Sequence, residues 1–488
     1  MSAPPSFVVE DQSEVIAHLE RHLAPAKRID THGAVVFLSG ERAYKLKRAV
    51  RFPYMDFSTA DRRHAMCRAE IAINRQLAPE IYLGVEEART PSGKSDWLVV
   101  MRRFDEEGLF DRLAERGALT PDLMAALAAR VARFHGGLAP IRDGFGRPDD
   151  YRHSVAADVR QMREQGVHLD PALSEALATA MPAVLEPFID LVGRRVEAGA
   201  IRRCHGDLHL RNIVLIDGQP VPFDAIEFSE RIANIDVLYD LAFALMDLCE
   251  RDLRPLANRL LNEWLWRMAE MQDAPNEAAL ALLPMFLARR ASIRAFVDAQ
   301  MAAVAASDAS KSNLERARIY QRLALSFLQP TPPSLLAIGG LSGSGKTTLA
   351  LREAPAIGRS PGAVVVRSDV ERKRLAGLAL EERMPAGSYT PEASTRVYSA
   401  MLERAERALG AGHSVVLDAV FARPEERAAA EALACRVGVP FHGLWLEVSK
   451  HEAQARVAAR TGDASDATPA VVERQFEYEL GEIRWERR

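Results

Sequence analysis

Cysteine is scarce in this chain. Cys67, Cys204, Cys249 and Cys435 stand far apart with no CxxC pair, which argues against both a disulfide framework and structural zinc. A surplus of one charge is also lacking: 63 Lys+Arg face 67 Asp+Glu, for a net charge of −4. The balance holds on either side of Ser334, with 42 basic and 46 acidic residues up to it and 21 of each beyond. Neither part carries the positive excess that sequence-independent binding of a nucleic-acid backbone needs. No run approaches the ~18 apolar residues of a membrane span. The opening MSAPPSFVVEDQSEV meets acids, beginning with Glu10 and Asp11, before any basic residue or signal-like apolar stretch, so the expectation is a cytoplasmic protein with no membrane partner. Lysine is rarer still, with 8 against 55 arginines.

The chain's 488 residues suffice for two to four domains, and 48% apolar with 27% charged residues is an ordinary soluble balance. Residues 33–48, GAVVFLSGERAYKLKR, read as a hairpin. A helix over DRRHAMCRAEIAINRQLAP follows and stops before Pro79, and then a strand pair near 82–87 and 97–101. Long helical patterns come next, at 109–116, 121–135, 171–196 and almost unbroken over 252–327. Short β-like runs around a polar loop at 201–228 interrupt them. QPTPPS, residues 329–334, has three prolines in six positions and reads as the main boundary. Beyond it strands and helices alternate, the pattern of a parallel sheet covered on both faces.

After that boundary, Gly340-Leu-Ser342-Gly343-Ser344-Gly345-Lys346-Thr347 matches the full phosphate-loop pattern between an apolar strand and a helix, with Thr348 next. Its glycines let the backbone N–H groups and the helix N-terminus face an anion, Lys346 reaches the outer phosphates, and Thr347 holds Mg²⁺. Two further strands end in aspartate. Asp418 suits support of Mg²⁺, and Asp369 suits orienting or deprotonating an acceptor hydroxyl, with Arg367 and Arg372 near for an anionic acceptor. Arg456 and Arg460, four apart on one helix face before TGDASDAT, suit a lid over the transferring phosphoryl group. Through GLSGSGKTT, RSDVERKR, VVLDAVF and the RxxxRTGDASDA segment, residues 334–488 resemble the P-loop small-molecule and polynucleotide kinases. That likeness implies Asp369 as the acceptor-hydroxyl residue and Arg456 and Arg460 as lid residues.

The loop Cys204-His-Gly-Asp207-Leu-His-Leu-Arg-Asn212 is followed eleven residues on by Phe223-Asp224. A kinase catalytic loop needs a carboxylate for the acceptor proton, an amide oxygen about five residues later for a metal, and a second carboxylate on that metal. Asp207, Asn212 and Asp224 supply the set. His135, on an apolar helical stretch, reads as a satisfied core histidine.

The loop resembles that of the aminoglycoside phosphotransferase-like kinases, choline and homoserine kinase relatives among them, over residues 30 to 325. The resemblance implies Asp207 as catalytic base, Asn212 and Asp224 as Mg²⁺ ligands, and Asp236 and Asp240 as structural aspartates. Lys45 or Lys47 would clamp the ATP phosphates, paired with Glu70. The two lysines share one strand face, so parity leaves the choice open; the closing LKR of the strand favours Lys47. No GxGxxG precedes the hairpin, and Asp224 is followed by Ala225, Ile226 and Glu227 rather than Phe-Gly.

The expected architecture is therefore multidomain, α+β then α/β. A protein-kinase-like bilobal fold (N-lobe 1–104, helical C-lobe 105–328) and a linker at 329–334 precede a P-loop parallel-sheet domain at 335–488. The expected function is ATP-dependent (or GTP-dependent) phosphotransfer with Mg²⁺ onto a hydroxyl of a small polar metabolite or antibiotic, with nucleic acid not favoured as acceptor. The rival readings are one half acting as a nucleotide sensor for the other, a polynucleotide 5′-hydroxyl kinase in the second half, and a non-enzymatic ATP-dependent switch.

Overall fold

The computed structural model describes residues 7–488 apart from 53–54, 165–168, 269–274, 305–306, 386–387 and 460–464. By contacts it divides into two units, 1–146 with 199–244, and 147–198 with 245–488.

In the first unit the strands Lys27–Asp30, Ala34–Ser39, Arg42–Lys47, Ser95–Arg102 and Tyr82–Arg89 form, in that spatial order, an antiparallel sheet. Ser39 pairs with Arg42 across a two-residue loop. Gly40, at φ +54°, takes the first loop position, where a type II′ turn requires a left-handed residue. Helix Ala60–Leu77 is started by Thr59, whose side chain accepts from Arg62 N–H, and it ends before Pro79 as expected. Its buried face, with Cys67 and Ile71, packs on Val99, Tyr82 and Val214. The strand pairs Ile201–Arg203 with Asn234–Asp236, and Ile213–Ile216 with Gln219–Pro222, frame the polar loop. An amino-terminal helix, Ser13–His22, has no counterpart in the sequence expectation.

In the second unit the strands Val364–Arg367, Val415–Asp418, Leu335–Gly340, Phe441–Leu446 and Glu486–Arg487 form an all-parallel sheet. The four longer strands fall where the alternation placed them. The two-residue closing strand lies where only helices were expected. The helices of 245–328 belong to this unit, so the contacts do not divide the chain at the proline-rich 329–334. The cause is specific packing: Trp266 of helix Arg254–Arg267 is buried in the same core as Ile338, Leu349, Val365 and Val416. Removing a side chain of that size from such a core costs about 3–5 kcal/mol.

The absence of a membrane-length apolar run needs correction at one place. The helical run 171–197 reaches a mean hydropathy of 1.4 over 18 residues, with 28% of that window buried. Pro182 and Pro187 lie within it, a 3₁₀ turn at Glu186–Phe188 divides it, and Glu175 and Glu186 pair with Arg163 and Arg152. Helix Pro148–Glu164, which supplies those arginines, was also missed by the sequence reading. None of the four cysteines is in a disulfide.

Candidate functional site

Strand Arg42–Lys47 carries Lys45 and Lys47 into a cavity of about 660 Å³ in the first unit, lined also by His32, Asp207, His209, Asp224 and Glu227. Being two apart on one strand, both lysines face the same way, and both reach Glu70 on helix Ala60–Leu77. Lys45 Nζ lies 2.9 Å from Glu70 Oε1 and 2.6 Å from Asp224 Oδ1. Lys47 Nζ lies 2.6 Å from Glu70 Oε2 and also pairs with Glu227. Their exposures separate them: 16% for the Lys45 side chain and 1% for that of Lys47. Two ammonium groups against three carboxylates leave the cluster with one net negative charge. Burial alone would raise the pKa of Glu70, yet Lys45 and Lys47 hold it down at about 2. Burial likewise works against the charged form of Lys45, but Asp224 and Glu70 overcome it and raise its pKa. Glu227 is pushed up by burial, with Lys47 opposing.

Backbone anchors hold the two loops that face these lysines. Asp240 Oδ1 accepts from Gly206 N–H at 2.8 Å, and its Oδ2 accepts from His205 N–H at 3.2 Å and lies 3.0 Å from His135 Nε2. His135 is thus the bonded core histidine expected of it, and Asp240 braces the loop that carries Asp207. Asp236 accepts from Leu238 N–H and caps the helix beginning at Val237. His205 ties the loops together: its Nδ1 accepts from Asp207 N–H, which makes its Nε2 the donor to Phe223 C=O at 2.8 Å. Burial lowers its pKa, consistent with this neutral tautomer.

Asp224 sits at φ +62°, a strained position for a non-glycine residue. Its N–H donates to the Tyr82 hydroxyl, and the next residue, Ala225, exchanges hydrogen bonds with the Asn74 side chain in both directions. Asn212 Nδ2 donates to Asp207 Oδ2 at 3.0 Å and to Asp207 C=O at 2.9 Å, which leaves its amide oxygen as the atom available to a cation. His209 Nε2 is 3.4 Å from Asp207 Oδ2. Sequence reasoning missed Tyr82, Asn74 and His209. Of these only His209, two residues past Asp207 in the same loop, stood close enough in sequence to be noticed.

The phosphate loop of the second constellation is built from one short segment. Gly343 and Gly345 adopt φ +84° and +94°, and a Cβ on Gly343 would fall 2.5 Å from the Ala453 carbonyl oxygen, so the loop's path admits only glycine there. Helix Lys346–Glu353 starts directly behind. Ser342 N–H donates to Gln475 Oε1, Ser344 is buried, and Thr348 is exposed in the first helical turn. Lys346 Nζ donates to Leu341 C=O at 2.9 Å. Thr347 Oγ1 donates to Asp418 Oδ2 at 2.6 Å, which brings together the two residues expected around Mg²⁺.

Arg367, expected beside an anionic acceptor, instead places Nε 3.4 Å from Asp418 Oδ2 and Nη2 3.5 Å from Thr347 Oγ1. Arg372 lies apart from them, its guanidinium 4.8 Å from the Tyr389 ring centre. Asp369 stands in the first turn of helix Ser368–Leu375, partly exposed and close enough to Tyr389 to help raise the phenol's pKa, which burial and the carboxylates push to about 12. Arg456 Nη1 lies 3.4 Å from Gly343 C=O, over the phosphate loop. Arg460 falls outside the described residues.

Comparison with known proteins also finds two parts, one for each constellation. Residues 12–282 match the model of the phosphotransferase enzyme family, and residues 335–479 match an AAA domain model. An uncharacterized protein of Mycobacterium bovis and one of Mycobacterium tuberculosis are each 30% identical over 473 residues, covering 93% of this chain and 90% of theirs. Among solved structures, a choline/ethanolamine kinase family protein from Mesorhizobium loti aligns with 64% of this chain and 99% of its own, at 12% identity and TM-score 0.38. A gluconokinase from Sinorhizobium meliloti aligns with 33% of this chain and 83% of its own, at 21% identity and TM-score 0.23. The chain is an ATP-dependent kinase that belongs to the phosphotransferase enzyme family and carries a P-loop kinase-like domain behind its kinase-like fold.

Proposed function

We propose that each constellation moves the γ-phosphoryl group of ATP onto a hydroxyl of a small polar molecule, and that the two act on separate acceptors. The observation that carries this reading is the convergence of Lys45, Asp207 and Asp224 on one cavity, with Asn212 bonded to Asp207. Lys45, rather than the sequence-favoured Lys47, is the phosphate clamp. It is the more accessible of the two and already meets both Glu70 and Asp224, whereas Lys47 is enclosed between Glu70 and Glu227.

The donor atoms fit magnesium in both places. Asp224 with the Asn212 amide oxygen, and Thr347 with Asp418, are hard oxygen ligands beside a lysine that meets phosphate. When bound, the ion neutralises charge on the phosphates. The chain's own residues do the rest. Asp207, oriented by Asn212 and His209, takes the acceptor hydroxyl's proton as the new O–P bond forms and the bond to the ADP oxygen breaks. Lys45 and Lys346 draw the phosphates into line, and Arg456 closes on the phosphate loop. In the second domain Asp369 has the role of Asp207, and Arg372 is the group that meets an anionic acceptor.

Metabolites or antibiotics are favoured over nucleic acid because charge is balanced in both parts of the chain. Four cysteines outside any disulfide and an ATP substrate agree with a cytoplasmic setting. A metabolite-panel screen for phosphorylated product tests the proposal with the full chain, Asp207→Ala and Lys346→Ala side by side. Each substitution is expected to abolish one product by at least ~10³-fold and spare the other. Loss of every product in both variants would make one half a sensor for the other. Product only on an oligonucleotide, falling steeply with salt, would favour the polynucleotide kinase.

A further inference from the structure

The edge strand Val364–Arg367 of the parallel sheet is covered by a helix from the family-matched stretch 12–282. Along helix Arg254–Arg267, Asn258 Nδ2 donates to Ala363 C=O at 3.0 Å, and Asn262 Oδ1 accepts from Val365 N–H at 2.7 Å. Trp266 Nε1 donates to Val365 C=O at 2.8 Å. These side chains satisfy the backbone groups that an edge strand otherwise leaves open. Trp266 also has a second partner. Its indole lies 5.3 Å from the guanidinium carbon of Arg367, the residue whose nitrogens lie 3.4 and 3.5 Å from Asp418 and Thr347.

We propose that Trp266 is a positioning residue of the P-loop magnesium site, acting through Arg367. An arginine side chain has many rotamers, and a flat aromatic face against the guanidinium favours those that lie on it, by cation–π attraction in a water-poor setting. Arg367 so held fixes the orientation of the Asp418 carboxylate and the Thr347 hydroxyl.

A second buried link stabilises the same region. Glu277, on helix Asn276–Ala279, pairs with Arg404, whose Nε lies 3.2 Å from Glu371 Oε1 on the helix that begins right after Arg367. All three are buried. The helices that follow the kinase-like metal loop therefore serve as a support for the other domain's site. The proposal rests on the reading of Thr347 and Asp418 as magnesium ligands.

The test uses the full chain carrying Asp224→Ala, which silences the kinase-like site, and a fluorescent non-hydrolysable ATP analogue titrated with Mg²⁺. Trp266→Leu is expected to raise the half-saturating Mg²⁺ concentration about tenfold, the effect usual for losing an outer-shell partner of a metal ligand. Trp266→Phe, which keeps an aromatic face, is expected to stay within about threefold. Arg367→Gln should reproduce the leucine effect, and combining it with Trp266→Leu should add nothing. If Trp266→Leu folds poorly, Trp266→Met, whose unbranched flexible side chain fills irregular space, carries the same expectation.

An unchanged Mg²⁺ requirement in folded Trp266→Leu or Trp266→Met protein, with only the melting temperature lowered, overturns the proposal. Additive effects with Arg367→Gln overturn it as well. A parent chain without Mg²⁺-dependent analogue binding overturns the ligand reading beneath it, and that result is recognisable because it precedes any change at Trp266.

Discussion

The two nucleotide constellations are assembled in opposite ways. In the first unit the cations are tied into a side-chain network: Lys45 and Lys47 share Glu70 and reach on to Asp224 and Glu227, residues up to 180 positions away. In the second unit Lys346 bonds a carbonyl five residues back, and the loop's shape is set by glycine backbone within one strand–helix junction. The lysines of the first site depend on the tertiary fold bringing charges together, whereas the phosphate loop around Lys346 is shaped locally, although Thr347 still meets Asp418 across 71 positions. Substitutions in the first therefore perturb folding and chemistry together, whereas those in the phosphate loop act chiefly on phosphate binding.

The sharpest way to break this comparison lies within the first network. Lys47→Met leaves Glu70 and Glu227 buried with one cation fewer, and removing one partner of a buried ion pair costs about 3–5 kcal/mol. Denaturant unfolding should show that loss. Lys45→Met removes the more accessible lysine, so its expected stability loss is smaller, while activity at the kinase-like site falls about 10²–10³-fold. Equal stability losses with full activity in Lys45→Met would return the clamp to Lys47.

A somewhat smaller effect follows from acid. Glu70 has its pKa depressed to about 2 in the folded chain against 4.5 for the free group. The folded state thus binds fewer protons, and the stabilisation is fully present above pH 4.5 and lost as pH falls toward 2. Glu70→Gln should remove that part of the acid dependence, seen as a shallower loss of stability between pH 4.5 and 2 in denaturant unfolding.

Legibility in the sequence follows the same division. The phosphate loop, its strand and its helix are contiguous, and Gly340 to Thr347 could be read complete. Asp207, Asn212 and Asp224 were readable because one loop and one turn carry them. The choice between Lys45 and Lys47 was not readable, since alternation along a strand gives both the same face and only the distant Asp224 and Glu227 tell them apart. Arg367 was placed at the acceptor on proximity to Asp369, but its side chain points along the strand's end toward Asp418. Trp266 read as one more apolar position in a long helical stretch; what it packs on lies almost a hundred residues away, beyond any periodicity. Helix Pro148–Glu164 is rich in charge, and its buried stripe of Tyr151, Val155, Asp158 and Met162, though at helical spacing, includes an acid and few apolar residues, which hid it.

The central claim is that the chain holds two separate ATP sites, and counting bound nucleotide tests it most directly. Isothermal titration of the full chain with a non-hydrolysable ATP analogue and Mg²⁺ should give two equivalents per chain, falling to one in Lys346→Ala, one in Lys45→Ala, and none in the double variant. A single equivalent in the unsubstituted chain, or a count that neither lysine substitution lowers, would contradict the account.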